Sequence, residues 1–354
     1  IVQTGIRSVV RTLALGTQDG GKVVVASRES LTNNFYLCRF DTQGQPDVDF
    51  GLAGVTRLGI DHLEAPVTMT VCPDDKILLA SQNLDLGESA AFAARFTADG
   101  WLDIAGLLPG RAYSSIANHS SKVAMTPLPG GGMLLAGITS LGSYYVQRFD
   151  PTGLRDPNFG LGGCRILPDI STDPRCPVDL ANIPGTTDFY LMGHNGYSGF
   201  MGKLFVQRFH GDGSEDTAFG GGLPVWIDME VDFEKDASIV AFPDGRVRLA
   251  GSKWSLGEHF LAGIRANGTL DESFGDEGYM ITEVHSGVAT GVELAVMANE
   301  NLVLAGYDEN TQQTFLMRFD NDGYPVLNFG IGGVTRSGVV HYSGDSDVGL
   351  ALSD

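Results

Sequence analysis

The sequence predicts an all-β fold, a six-bladed β-propeller of four-stranded antiparallel blades, and three observations carry that reading. One phrase is written six times along the chain, its turn glycines Gly44, Gly100, Gly153, Gly213, Gly268 and Gly323 recurring roughly every 55 residues. Each period holds about four short apolar runs bounded by turn residues, and no stretch shows convincing helical periodicity. A lone four-stranded sheet cannot bury both faces, whereas sheets stacked on their neighbours can, so a repeat of this length points to blades. A seven-bladed form or a piece of a longer array are the alternatives, and the even spacing argues for one domain over residues 1–354.

The clearest copy of the phrase is RFDPTGLRDPNFGLGG, from Arg148. The others are RFDTQGQPDVDFGLAG from Arg39, RFTADGWLDIAGLLPG from Arg95, RFHGDGSEDTAFGGG from Arg208, GIRANGTLDESFGDEG from Gly263 and RFDNDGYPVLNFGIGG from Arg318. A strand such as SYYVQRF ends at a polar residue and a turn, where glycine supplies the positive φ that branched residues resist. Three residues after the glycine stands a carboxylate: Asp47, Asp103, Asp156, Asp216 or Asp271, with Val326 the exception. Its expected work is to accept hydrogen bonds from turn amides. Then Phe50, Phe159, Phe219, Phe274 and Phe329 each precede a glycine, an aromatic plug at a backbone corner, while the second copy has Ala105 before Gly106. Upstream lie a hairpin turn and an aliphatic strand ending in small residues, as in CPDDKILLAS and FPDGRVRLAG. A further strand precedes that turn, and a fourth follows the corner, as in GVTRLG and GVTRSG. At the ends, IVQTGIRS reads as a fourth-strand phrase and DVGLALSD as the start of an inner strand, so one terminal strand is expected to complete the blade formed by the other.

The motif R-[FY]-[DN]-x-x-G-x-x-D-x-x-F-G-x-x-G resembles the delta-60 repeat family, bacterial tandem repeats of uncharacterised function, and the resemblance covers essentially the whole chain. It implies a propeller-like domain and brings no catalytic residues with it. The fifth copy departs from the pattern, with Gly263, Ile264 and Arg265 where Arg, Phe and Asp are expected.

Composition narrows the partners. Against 43 acidic residues stand 23 basic ones, a formal charge of −20, which repels nucleic-acid backbones and anionic membranes. Charged residues are 19% of the chain and glycines number 48, about twice ordinary usage, as a turn-rich β protein requires. No apolar run approaches the ~18 residues of a spanning helix. The chain begins at Ile1 with neither an initiator Met nor a signal-peptide pattern, as expected of a processed form or an excised segment. Of four cysteines, Cys38 and Cys72 read as buried thiols, while Cys164 and Cys176 flank RILPDISTDPR, where a disulfide could staple the third repeat to the fourth and would favour a secreted, cell-surface or periplasmic location.

Candidate chemistry centres on histidine phase. His62, His119, His285 and His341 each lie about 18 residues after their turn glycine, in the connection from a fourth strand to the next first strand. Equivalent positions in a closed ring share a face, so these imidazoles, with Asp61, Glu64, Asp173, Glu230, Asp232 and Glu283 nearby, are candidates for a divalent-metal or acid–base site at a channel mouth. The competing reading makes them solvated loop residues. DNDG and GDGSED resemble fragments of calcium loops but lack the closing Glu, which favours plain turn chemistry. Arg39, Arg95, Arg148, Arg208 and Arg318 recur at one strand position and are expected to pair with the repeated Asp. Trp101, Trp226 and Trp254 occupy different phases and form no stacking platform, and the sequons at Asn118 and Asn267 are weak signals. An insertion around His194 to Gly202 is expected to lengthen the loop between the fourth blade's second and third strands and to offer a contact surface. No nucleophile elbow, phosphate loop or Cys-x-x-Cys pair is present. The functional expectation is therefore a scaffold that binds a protein or glycan, and the rival is a metal-assisted lyase or hydrolase.

Overall fold

The computed structural model describes residues 10–29, 35–57, 63–83, 90–104, 111–117, 123–171, 178–196, 202–231, 237–253, 258–285, 292–308, 310–338 and 350. It is all-β, with six four-stranded antiparallel sheets as the blades of a six-bladed β-propeller. The first blade contains β1 (Val10–Gln18), β2 (Lys22–Glu29), β3 (Phe35–Phe40) and β4 (Val55–Arg57). The second contains β5 (Leu63–Val71), β6 (Ile77–Asn83), β7 (Ala90–Phe96) and β8 (Arg111–Ala117). The third contains β9 (Ala124–Pro127), β10 (Met133–Ile138), β11 (Ser143–Phe149) and β12 (Cys164–Ser171). The fourth contains β13 (Val178–Asn182), β14 (Phe189–His194), β15 (Gly202–Phe209) and β16 (Val225–Val231). The fifth contains β17 (Ser238–Ala241), β18 (Val247–Ser252), β19 (Glu258–Ile264) and β20 (Tyr279–His285). The sixth contains β21 (Val292–Val296), β22 (Leu302–Asp308), β23 (Gln313–Phe319) and β24 (Val334–Arg336).

Every sheet is a meander of four strands consecutive in sequence. The expected exchange of a terminal strand is therefore not found among the described residues, because β1 to β4 and β21 to β24 each complete their own blade. The chain divides into two compact units, Ile1–Ser140 with Tyr145–Arg165 and Ala351–Asp354, and Leu141–Tyr144 with Ile166–Leu350.

Within each unit the core lies between blades. In the first unit, Phe50, Phe92 and Phe96 join the first two blades, and Leu78, Leu135 and Phe149 join the second to the third. In the second unit, Tyr190, Phe219 and Phe260 bind the fourth blade to the fifth, and Phe274, Phe315 and Phe319 bind the fifth to the sixth. Burying one such aromatic contributes roughly 2 to 3 kcal/mol, and that gain depends on the neighbouring blade being present.

The repeated phrase is the clamp between neighbours. All six turn glycines have φ between 74° and 88°, the left-handed region. A second constraint acts at three of them, since a Cβ on Gly100 would run into the ring of Phe50, one on Gly323 would come within 2.8 Å of Phe274, and one on Gly268 would come within 2.6 Å of Gly220 N. The corner phenylalanine of one blade thus lies under the turn of the next. The corner amide follows the same route: Gly51 N donates to Asp99 O at 2.7 Å, Gly220 N to Asn267 O at 3.0 Å and Gly275 N to Asp322 O at 2.6 Å. The arginine completes the clamp. Arg39 pairs with Asp47 at 2.9 Å, Arg95 with Asp103 at 2.8 Å, Arg148 with Asp156 at 3.4 Å, and Arg208 with Asp216. Arg39, Arg95 and Arg208 also donate to carbonyls of the following blade's hairpin turns, those of Ala98, Gly131 and Ala266.

The two copies that lack a member of this pair restore it from elsewhere in the blade. In the fifth, Arg248 stands on β18 directly opposite Gly263 and reaches Asp271 at 2.9 Å, its guanidinium 4.4 Å from the Phe274 ring. In the sixth, where Val326 replaces the carboxylate, the Asn301 amide oxygen turned inward accepts from Arg318 Nε and Nη2 at 3.2 and 3.1 Å.

Candidate functional site

Of the phased histidines, His62, His119 and His341 lie outside the described residues. His285 is the last residue of β20, opposite Glu258, so it ends a fourth strand and does not sit in the connection that follows. Its side chain and those of Asp61, Glu64, Asp173, Glu230, Asp232 and Glu283 lie outside the described set.

The histidines off that phase are the ones the structure places. His194 is fully buried at the end of β14, which removes it from the expected contact loop, of which residues 197–201 lie outside the described residues. Its main chain is held by Tyr144, whose hydroxyl donates to His194 O at 2.8 Å and accepts from His194 N at 2.7 Å. Tyr144→Phe removes both bonds from a buried backbone and is expected to cost about 2 kcal/mol of stability. A urea melt within about 0.5 kcal/mol of wild type, the low end for a single hydrogen bond, would show that the hydroxyl matters little. His210, half-exposed in the fourth blade's turn, forms with Asp188 and Asp216 the one group among the described residues with metal-like spacing. Its carboxylates are already engaged within the blade: Arg208 pairs with Asp216, Asp216 Oδ1 accepts from Ala218 N, and Asp188 Oδ1 accepts from Gly211 N.

The turn carboxylates serve the turns. Asp41 Oδ1 accepts from Gln43 N and Gln45 N, and Asp150 and Asp320 do the same in their copies. Cys164 carries a free thiol whose pKa burial pushes up to about 11, and Cys176 lies outside the described residues. Cys38 is buried, and Cys72 follows the end of β5, half-buried, with burial likewise raising its thiol to about 11.

A concave site is found elsewhere, in the second unit. Between β16 and β20, the outer strands of the fourth and fifth blades, lies a groove of about 620 Å³. Alternation along β16 turns Val225, Ile227 and Met229 toward the fifth blade's core, and Tyr279 packs against the same cluster from β20. Leu270 is fixed in the wall by Gly278, where a Cβ would come within 2.5 Å of its side chain. The partly exposed Ile281 completes the apolar surface, while Met280, next to it on β20, packs on the opposite face against the core shared with the sixth blade.

Above this wall stand Asp228, Asp276 and Glu277. Asp228 is paired with Lys203, whose ammonium hydrogen-bonds its carboxylate and lowers its pKa. Asp276 and Glu277 occupy the fifth blade's corner, held by Asp276 N donating to Tyr279 O at 2.7 Å, with Glu277 at φ 50°. The Tyr279 phenol is raised by burial and hydrogen-bonded to the backbone of Asp228. Among the described residues, no imidazole, thiol or aliphatic hydroxyl lines the groove.

The sequence did carry a signal for this site. At the phase of Asp276 the first, third and sixth copies have Leu52, Leu161 and Ile331, and only the fifth has a carboxylate followed by another.

The fold thus places the chain among six-bladed β-propellers. No family model matches it, and no curated protein matches it in sequence. Among solved structures it is similar to AofleA from Arthrobotrys oligospora, with 11% identity and a TM-score of 0.52 over 99% of this chain and 96% of that one. It is also similar to the WD40 domain of Toxoplasma gondii coronin, with 13% identity and a TM-score of 0.51 over 96% and 73%. The polysaccharide lyase Uly1 gives 10% identity and a TM-score of 0.50 over 95% and 82%. At such identities these likenesses show a shared fold. Among the described residues no helix is long and apolar enough to cross a membrane.

Proposed function

We propose that this chain is a binding module of the delta-60 repeat type, part of a bacterial surface or secreted protein, which presents the groove between β16 and β20 to a protein or glycan partner. The observation that carries the reading is the groove itself: a preformed apolar concavity with a polar rim has the make-up of a ligand site. Its lining lacks the nucleophile-and-base arrangement that acyl, glycosyl or phosphoryl chemistry draws on. The other polar clusters of the two units are taken up in holding blades together.

The test is a surface-binding screen of the purified protein over a glycan set and a peptide set, with Ile281→Arg as the groove-blocked control. Ile281 is 39% exposed, so the substitution fills the groove without opening the core. At least one ligand is expected to bind wild type and to lose at least tenfold in affinity with the variant. A screen in which every ligand binds both proteins alike would remove the groove from the function.

A further inference from the structure

Resting on that reading, we infer that the groove takes a protein partner through a lysine- or arginine-bearing peptide segment, the aliphatic stem lying on the apolar wall and the cationic head meeting Asp276 and Glu277. Charge is the first argument. Neither Asp276 nor Glu277 forms an ion pair among the described residues, while the described basic side chains of the fourth and fifth blades are committed elsewhere: Lys203 to Asp228, Arg208 to Asp216, Arg248 and Arg265 to Asp271, Arg246 to Asp244 and Glu300, and Lys253 to Glu258. The rim therefore offers two carboxylates that the described residues leave unneutralised, on a protein of formal charge −20 whose field concentrates cations.

The wall supplies the second argument. Met229, Leu270, Ile281 and the half-buried face of Tyr279 form an apolar strip beneath an acidic edge. Lys and Arg side chains match that combination, an apolar stem of three or four methylenes ending in a charged donor. Methionine adapts to stems of different course.

Hydrogen-bonding capacity separates this occupant from a neutral sugar. A sugar hydroxyl both donates and accepts, whereas the rim side chains are acceptors and the nearby ammonium of Lys203 is engaged. A divalent ion fits less well, since these three carboxylates do not converge: among the described residues only Asp188, His210 and Asp216 come within shared ligand distance.

The experiment measures fluorescence anisotropy of a short labelled peptide alternating leucine and lysine, and of its leucine–glutamine analogue. The proteins are wild type, the double variant D276N/E277Q, and the control D49N/E272Q, which removes two exposed charges elsewhere. Thermal melting confirms that all three are folded. The lysine peptide is expected to bind wild type and control within twofold of one another, and to bind D276N/E277Q about tenfold more weakly, with added salt narrowing the gap. The glutamine analogue is expected to show no preference among the three proteins. Equal binding by D276N/E277Q and wild type, an equal loss in the control, or equal binding of the two peptides would each overturn the assignment of this occupant. The two readings fail differently. Should the screen yield a glycan that Ile281→Arg abolishes while the lysine peptide does not bind, the occupant is wrong and the binding module stands; should no ligand of either kind depend on Ile281, both fall.

Discussion

Arg248→Leu is expected to destabilise the protein by about 3 to 5 kcal/mol, and adding Gly263→Arg to it is expected to recover at least about half of that loss. Arg248 and Asp271 form a buried pair, their side chains 4% and 10% exposed. Burial depresses the Arg248 guanidinium, and Asp271 pulls the other way. Burial pushes the Asp271 carboxyl up, but the Ser273 hydroxyl and Arg248 outweigh it and hold it below the usual range. Removing Arg248 leaves the buried carboxylate only the half-exposed Arg265 at 3.4 Å and the Ser273 hydroxyl, which places the loss toward the lower end of that range. Leucine fits the vacated place, since Leu78 holds the same position opposite Arg95 in the second blade.

Gly263→Arg alone is expected to destabilise as well. A Cβ there would lie 2.7 Å from Phe274 and 3.1 Å from Arg248 Nη1, and the new side chain would set a third guanidinium, beside Arg248 and Arg265, on one carboxylate. Together the substitutions rebuild the arrangement of the other blades, with Phe274 giving back the space it took from the glycine. Urea melts of the four proteins close a double-mutant cycle, for which a coupling above ~2 kcal/mol is expected. Additive losses would mean that Arg248 does not stand in for the missing arginine.

The fifth blade's relocated arginine shows what the linear motif conveys and what it omits. The turn glycines, the corner phenylalanines and four Arg–Asp pairs were legible because each lies at a fixed offset within one repeat. The fifth copy read as a departure because its arginine sits on the neighbouring strand, ahead of the span the motif covers. Only the β18–β19 register brings Arg248 opposite Gly263. The clue was an arginine within FPDGRVRLAG at a place where KILLAS has Leu78. Asn301 escaped notice for the same reason, since it serves Arg318 from the turn before β22.

Histidine phase conveys less than the turn motif does. A shared offset makes positions equivalent, but it brings side chains together only if they also point to a common space, which spacing does not encode. The groove was less visible still, because its walls come from β16 and β20, about 50 residues apart, at positions with no common phase. Its one local mark is the Asp276–Glu277 pair in a corner that carries Leu or Ile in the first, third and sixth copies.

Acidification from pH 6.5 to pH 4 is expected to weaken the fold by up to about 3 kcal/mol through His259 alone. This imidazole is fully buried in β19, with Nδ1 3.0 Å from Ser252 Oγ and its ring 5.2 Å from that of Phe315 in the next blade. Burial lowers its pKa from the ordinary 6.5 to about 4, against a smaller opposing pull from Asp308, itself held by Arg336. The folded protein therefore resists a proton that the unfolded chain accepts readily. The contribution is present in full above pH 6.5 and is lost as pH falls toward 4, at a slope of at most about 1.4 kcal/mol per pH unit. The paired aspartates, whose pKa values are depressed, lose their contribution at lower pH, so the two effects separate. His259→Leu places an aliphatic side chain where the fourth blade has Leu204 and removes the titration. Its stability is expected to stay nearly level between pH 6.5 and about pH 4.5 while that of wild type declines, as read from urea midpoints at several pH values. Parallel declines in the two proteins would assign the acid sensitivity to another group and leave His259 as packing alone.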